Sequence, residues 1–135
     1  MPAKRILVAD DDEAVRDYFG RLFPAPEYEL HGAAGGLEAL ERIAADGFDM
    51  LILDLVMPDM DGLEVLRRVR EIRPDILVFV VTGYPSEETT KEAVARGCVD
   101  YVHKPFDAEE IRGLVRGAFD AQEYRFRHAR SSAPD

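Results

Sequence analysis

Short apolar runs recur at residues 6–9, 28–30, 50–53, 76–81 and 99–102, and each is followed by a stretch whose apolar residues return every three or four positions. The runs suit strands and the stretches suit one face of a helix, so the chain reads as five strand-helix units. After the first run, Val15, Tyr18, Phe19, Leu22 and Phe23 form the stripe and Pro24 stops it. The second helix sets Leu37, Leu40, Ile43 and Ala44 on one face and is expected to end at Gly47 in a left-handed cap. Leu63, Leu66, Val69 and Ile72 define the third, ahead of Pro74. The fourth opens near Ser86 with Glu87 and Glu88 in its first turn, favourable at the positive end of the helix dipole, but Ala93 and Val94 are its clear apolar pair. So thin a stripe predicts the most mobile helix. The fifth has Asp107 at its N-cap, Glu110 three residues on, and Ile111, Leu114, Val115, Ala118 and Phe119 at helical spacing.

Runs 50–53 and 76–81 are apolar throughout, like strands covered on both faces, whereas Tyr28-Glu29-Leu30-His31 alternates like a half-exposed edge strand. Strands joined by helices make a parallel sheet, and right-handed crossovers favour a flavodoxin-like (βα)5 doubly wound α/β sheet of order 2-1-3-4-5. Functional residues are then expected at the carboxyl ends of strands one, three and four. At 135 residues the chain fits one domain, assigned to residues 1–121. Residues 122–135, which turn basic with Arg125, Arg127 and Arg130, are assigned to a helix extension and tail.

A net charge of −10 repels nucleic acid phosphates and anionic headgroups, so neither direct nucleic acid binding nor membrane association is expected. The lone Cys98 has no partner for an internal disulfide and is expected to be a small buried hydrophobe. Met1-Pro2-Ala3-Lys4-Arg5 precedes four apolar residues and then aspartates, so neither leader nor membrane span is expected and the location reads as cytoplasmic.

Acidic residues close two buried runs: Asp10-Asp11-Asp12 after the first and Asp54 after the third. The predicted sheet brings them together, and several carboxylates in one crevice repel unless protons or a cation offset them. Hard oxygen ligands in small number suit Mg²⁺. Asp12 stands apart as the N-cap of the first helix. The fourth run ends in Thr82-Gly83 and the fifth is followed by His103-Lys104-Pro105-Phe106, adding a hydroxyl and a cation. A phosphoryl group on Asp54 needs both, because its equatorial oxygens want donors and positive charge besides the metal.

These residues resemble the receiver domains of two-component response regulators over roughly residues 4–120. Ile6-Leu7-Val8-Ala9-Asp10-Asp11 is similar to the family's first strand and acidic pair, and Leu51-Ile52-Leu53-Asp54-Leu55-Val56-Met57-Pro58-Asp59-Met60-Asp61-Gly62 to its phosphoacceptor strand and loop. Val80-Val81-Thr82-Gly83 resembles the switch threonine segment, and Asp100-Tyr101-Val102-His103-Lys104-Pro105-Phe106 the segment with the switch aromatic and the lysine. The resemblance implies that Asp54 is phosphorylated, that Asp11, Asp54 and the Val56 carbonyl ligate Mg²⁺ with Asp10 helping through water, and that Thr82 and Lys104 bind the phosphoryl group. It implies a cis Lys104–Pro105 peptide, Thr82 and Tyr101 as the switch pair, a sensor histidine kinase or phosphotransfer protein as donor, and a signalling role rather than an enzyme's. A downstream protein is expected to read helix four, strand five and helix five, with homodimerisation on phosphorylation open. Because no output domain follows Asp135, the signal is expected to pass to another protein unless the chain is part of a longer one.

Competing readings fit less well. Asp10-Asp11-Asp12 contains the Asp-x-Asp spacing of haloacid dehalogenase-type phosphohydrolases, with Asp10 as nucleophile, but Asp54, Thr82 and Lys104 then lack a joint role. A flavin carrier of the same fold needs hydroxyls and free amides in the first loop, where this chain has carboxylates. A calcium loop at Asp59-Met60-Asp61-Gly62 fails, because aligning Gly62 to its sixth position puts Met57 first and Arg68 twelfth. His31, His103 and His128 lack ligand spacing or a nucleophile partner. A phosphorylation-independent binding module remains a third alternative.

Overall fold

The computed structural model describes residues 2–131. The elements alternate as β1 (Lys4–Ala9), α1 (Glu13–Leu22), β2 (Tyr28–Ala33), α2 (Gly36–Ala45), β3 (Met50–Asp54), α3 (Gly62–Ile72), β4 (Leu77–Thr82), α4 (Glu87–Ala95), β5 (Asp100–His103) and α5 (Ala108–Ser131). All pairings are parallel and the order is β2-β1-β3-β4-β5, the expected flavodoxin-like arrangement. The described chain divides into two compact units, one up to Pro105 and one from Phe106.

In the first unit, β3 and β4 are buried at every position, and edge strand β2 is covered mainly at its ends. Side chains alternate across the sheet. Leu7, Ala9, Leu51, Leu53, Val78 and Val80 share one core cluster with Leu40 and Ile43 of α2, Val65, Leu66 and Val69 of α3, and Ala93 of α4. Ile6, Val8, Met50, Ile52, Phe79 and Val81 alternate to the opposite face, where α1 meets β1 and β2. The caps expected at Asp12 and Ser86 form, accepting from the Ala14 and Thr89 amides, and Asp61 caps α3 by accepting from Leu63.

Several details differ from the periodicity. Leu37 is 53% exposed and Ala44 is exposed, because α2 turns Gly36, Ala39, Leu40 and Ile43 inward. A Cβ on Gly36 would lie 2.7 Å from Val65 Cγ2, an approach to α3 that rotates the buried stripe away from Leu37. Gly47 does not form the left-handed cap: α2 ends at Asp46 in extended backbone, its amide bonded to the Arg42 carbonyl. Among the described residues Gly97 alone has positive φ, at 87°. Val94 is 60% exposed, so α4 buries Ala93 only, and Cys98 is half-buried.

In the second unit, Asp107 caps α5 by accepting from the Glu109 amide at 2.8 Å, and Ile111, Val115, Ala118 and Phe119 are buried at helical spacing. The helix runs unbroken past Ala121 to Ser131; residues 132–135 of the expected tail lie outside the described residues. No helix among the described residues is long and apolar enough to cross a membrane.

Close backbone approach makes one stability prediction sharp. A Cβ on Gly62 would meet Leu55 Cα at 2.4 Å, a backbone collision that no side-chain rotation relieves. Gly62→Ala is expected to cost about 2 kcal/mol or more, the range for overpacking; an unchanged urea midpoint would contradict this.

Candidate functional site

Asp10, Asp54, Thr82 and Lys104 each stand at or just past the carboxyl end of a strand, so the sheet gathers these polar groups at one end of its strands. Asp10 follows β1 and is buried; its Oδ1 accepts from the Asp12 amide at 2.9 Å, and its own amide donates to the Ala33 carbonyl at 3.1 Å. Asp54 closes β3, also buried, and its Oδ1 accepts from the Val56 amide at 3.1 Å. Lys104 follows β5 in register, its amide donating to the Thr82 carbonyl at 2.7 Å. Its Nζ donates to Asp10 Oδ2 at 2.8 Å and to Asp54 Oδ2 at 3.2 Å. Asp11 is exposed at the rim, and oxygens of Asp10, Asp11 and Asp54 lie within 4.8 Å of one another. The Lys104–Pro105 peptide is cis, as the resemblance implied; Ala25–Pro26 is a second cis bond that the sequence did not announce.

Burial dominates the electrostatics of Asp54 and pushes its carboxyl above the usual range, with the Asp10 charge adding to it; the Val56 amide and Lys104 pull the other way without cancelling it. For Lys104 burial opposes the ammonium, but the hydrogen bond to Asp10 and the charges of Asp54 and Asp10 outweigh it, so the lysine titrates above its usual value. One ammonium thus faces three carboxylates, which leaves the crevice short of positive charge and lined with hard oxygen donors, the chemistry that suits Mg²⁺.

Not every expected residue joins this group. Thr82 is buried at the end of β4, but its Oγ1 accepts from the Tyr84 amide at 3.1 Å and so closes its own loop. Val56 is 52% exposed on the β3–α3 loop. Tyr101 is half-buried, with its hydroxyl 3.1 Å from Thr89 Oγ1, which is itself 2.8 Å from the Ser86 hydroxyl at the α4 cap. None of the three histidines belongs to the acidic group; His31 lies between Glu29 and Arg42. Two contributors were missed from the sequence. Arg16 donates to the Asp10 carbonyl at 2.6 Å, and Thr89 holds the tyrosine. Arg16 lies one turn into α1, and that spacing from the expected cap at Asp12 was the available signal.

Paired buried carboxylates bridged by a lysine lie at the switch point of a 2-1-3-4-5 parallel sheet, the place where doubly wound sheets carry their functional residues. The response regulator receiver domain model matches residues 6–116. Response regulator MprA of Mycobacterium ulcerans (strain Agy99) is 42% identical over 112 residues, 83% of this chain and 48% of that protein. The chain spans about half the length of the curated relatives it matches. The crystal structure of a CheY-like receiver domain protein from Methanospirillum hungatei JF-1 superposes with TM-score 0.88 at 32% identity, covering 91% of this chain and 98% of that one. A response regulator from Burkholderia pseudomallei, crystallised with a phosphorylated aspartic acid, calcium ion and citrate, gives TM-score 0.78 at 28% identity over 96% and 75% of the two chains. The chain belongs to the response regulator receiver domain family, phosphorylation-dependent signalling switches that bind Mg²⁺ at an acidic pocket.

Because Asp54 titrates above its unfolded value, the folded protein holds that proton more tightly, and the associated stability is present at low pH and lost as pH rises through the folded value. Asp54→Asn removes the buried charge while Lys104 keeps Asp10. In chelator at pH 7 the variant is expected to unfold at higher urea than wild type, with the gain vanishing near pH 3; an equal or lower midpoint at pH 7 would show that burial does not dominate.

Proposed function

We propose that Asp54 is the phosphoacceptor, taking its phosphoryl group from the phosphohistidine of a sensor histidine kinase or phosphotransfer protein. The observation that carries this is Lys104 Nζ, set between Asp10 and Asp54 in a buried acidic crevice. Asp11, Asp54 and the Val56 carbonyl would hold Mg²⁺, with Asp10 acting through water. Bound there, the ion would offset charge on the transferred group. The Asp54 carboxylate attacks phosphorus in line, an oxygen–phosphorus bond forms as the nitrogen–phosphorus bond breaks, and the donor imidazole keeps the electron pair. Lys104 then meets one phosphoryl oxygen and the Thr82 hydroxyl donates to another, using the hydrogen that its bond from the Tyr84 amide leaves unengaged. In this reading the domain assists its own phosphorylation and turns over no separate substrate.

Thr82 gains an acceptor only in the phosphorylated state, and a ligand shifts an equilibrium only through such a differential contact. Its loop leads to Ser86, which touches Thr89, which touches Tyr101, so the path to the switch aromatic is built from hydroxyls. A downstream protein would read the exposed side of α4 and β5, a choice favoured by exposed Val94 on α4 and Val99 ahead of β5. Homodimerisation on phosphorylation and a cytoplasmic setting, with residues 1–121 as the working domain, complete the proposal.

The test is intact mass after incubation with acetyl phosphate and Mg²⁺. A single phosphoryl adduct is expected in wild type, none in Asp54→Ala and none in chelator. An adduct retained by Asp54→Ala and lost in Asp10→Ala would support the phosphohydrolase alternative.

The same site predicts a slow loss of the group. Water must approach in line with the Asp54–phosphorus bond, and a polar side chain two residues on could orient it. Val56 offers no hydrogen bond, and Tyr84, 76% exposed, is large enough to cover the approach. Dephosphorylation in Mg²⁺ is expected to be faster in both Val56→Asn and Tyr84→Ala; an unchanged or slower rate in Val56→Asn would refute water exclusion.

A further inference from the structure

The loop between β3 and α3 closes on itself through the Gly62 amide, which donates to the Leu55 carbonyl at 3.0 Å, and through an isolated bridge between Val56 and Asp61. Neither contact ties the loop to another element. Asp59 does. Its carboxylate crosses to the first turn of α2, where Oδ1 accepts from the Gly36 amide at 3.0 Å and Oδ2 from the Leu37 amide at 3.1 Å.

First-turn amides have no partner within their own helix, and the N-cap of α2 is Gly35, which supplies no side-chain bond. A carboxylate accepting both amides also faces the positive end of the helix dipole, so the bonds are charge-assisted. The chain makes room for them: a Cβ on Gly35 would lie 2.7 Å from Asp59 Oδ2 and 2.8 Å from Oδ1. The Leu37 amide, then that of Gly36, holds Asp59 below the usual carboxylate range. Gly36 is equally constrained, since its Cβ would reach Met60 Cβ at 3.0 Å. The clamp borders an open cleft lined by Leu37, Glu38 and Pro58, so shortening Asp59 empties no core.

We propose that Asp59 is a positioning residue for the metal. By clamping the β3–α3 loop to α2, it holds the Val56 carbonyl, three residues away, where the ion takes it, without touching the ion itself. This rests on the reading of Asp54 and Val56 as metal ligands. Glycine at 35 is the complementary half of the device, since alanine there would push the carboxylate off the amides.

Mg²⁺ affinity by isothermal titration calorimetry, together with amide exchange of the metal-free protein, separates this from a purely structural cap. In Asp59→Ala the dissociation constant is expected to rise roughly tenfold, the low end for residues that orient metal ligands. Asp59→Asn, which keeps one oxygen acceptor, falls between. Exchange at Gly36 and Leu37 quickens in both, and the half-saturating Mg²⁺ concentration for acetyl phosphate labelling rises in step with the dissociation constant. Faster exchange with unchanged Mg²⁺ affinity would overturn the proposal, with Asp59→Asn deciding if Asp59→Ala does not fold. Wild type failing to bind Mg²⁺ would instead remove the metal-ligand reading on which the proposal stands.

Discussion

Repulsion among carboxylates gathered at one sheet edge is the constraint on which the rest of this domain turns. Asp10 and Asp54 are buried, Asp11 stands beside them, and a single ammonium on Lys104 bridges the buried pair. Such a group is stable only because the surrounding fold outvotes it, and it is useful for the same reason. Uncompensated negative charge in a confined site favours a divalent cation, which fits the Mg²⁺ binding of the family at an acidic pocket.

The apolar sheet bears the cost. β3 and β4 are buried along their whole lengths, so the strand ends cannot drift apart without exposing Leu51, Leu53, Val78 and Val80. Parallel register then sets the polar ends level: Asp54 pairs with Val81, one residue before Thr82, and Thr82 pairs with His103, one residue before Lys104. The loops complete the arrangement at close range. Gly62 presses on Leu55 where a side chain cannot fit, and Asp59 fastens the same loop to α2.

Beyond the crevice, hydroxyls line the way from the β4–α4 loop to Tyr101. Thr82 Oγ1 accepts from the amide of Tyr84, which leaves its own hydroxyl hydrogen free to donate, and the chain of Ser86, Thr89 and Tyr101 begins two residues further on. The helix at that end, α4, buries Ala93 alone, so little packing opposes its adjustment. Besides Ala93, the Ser86 cap and the Thr89–Tyr101 hydroxyl contact hold it, few ties for a helix of nine residues.

Strand and helix periods, caps at Asp12, Ser86 and Asp107, the strand order and the membership of the acidic crevice were legible in the amino-acid sequence. Each depends on residue type at short range or on rules of parallel-sheet handedness that few sequences escape. The inward faces of helices were legible only in part. Leu37 and Val94 satisfy helical spacing yet lie exposed, because the close approach of α2 to α3 at Gly36, and in α4 the inward turn of Ala93 and Thr89, decide which way each helix rolls. The ending of α2 at Asp46 rather than in a left-handed Gly47 cap is likewise set by where the chain must go next. What the sequence by itself determined was the chemistry available: which carboxylates, which lysine, which threonine, and that strands would carry them to one edge. Tertiary structure alone decided that Lys104 bridges Asp10 and Asp54, that Thr82 faces its own loop, that Arg16 steadies the Asp10 turn and that Asp59 reaches α2. Those contacts join residues up to 94 positions apart, or depend on a choice among several hydrogen-bond partners, and no local spacing records either one.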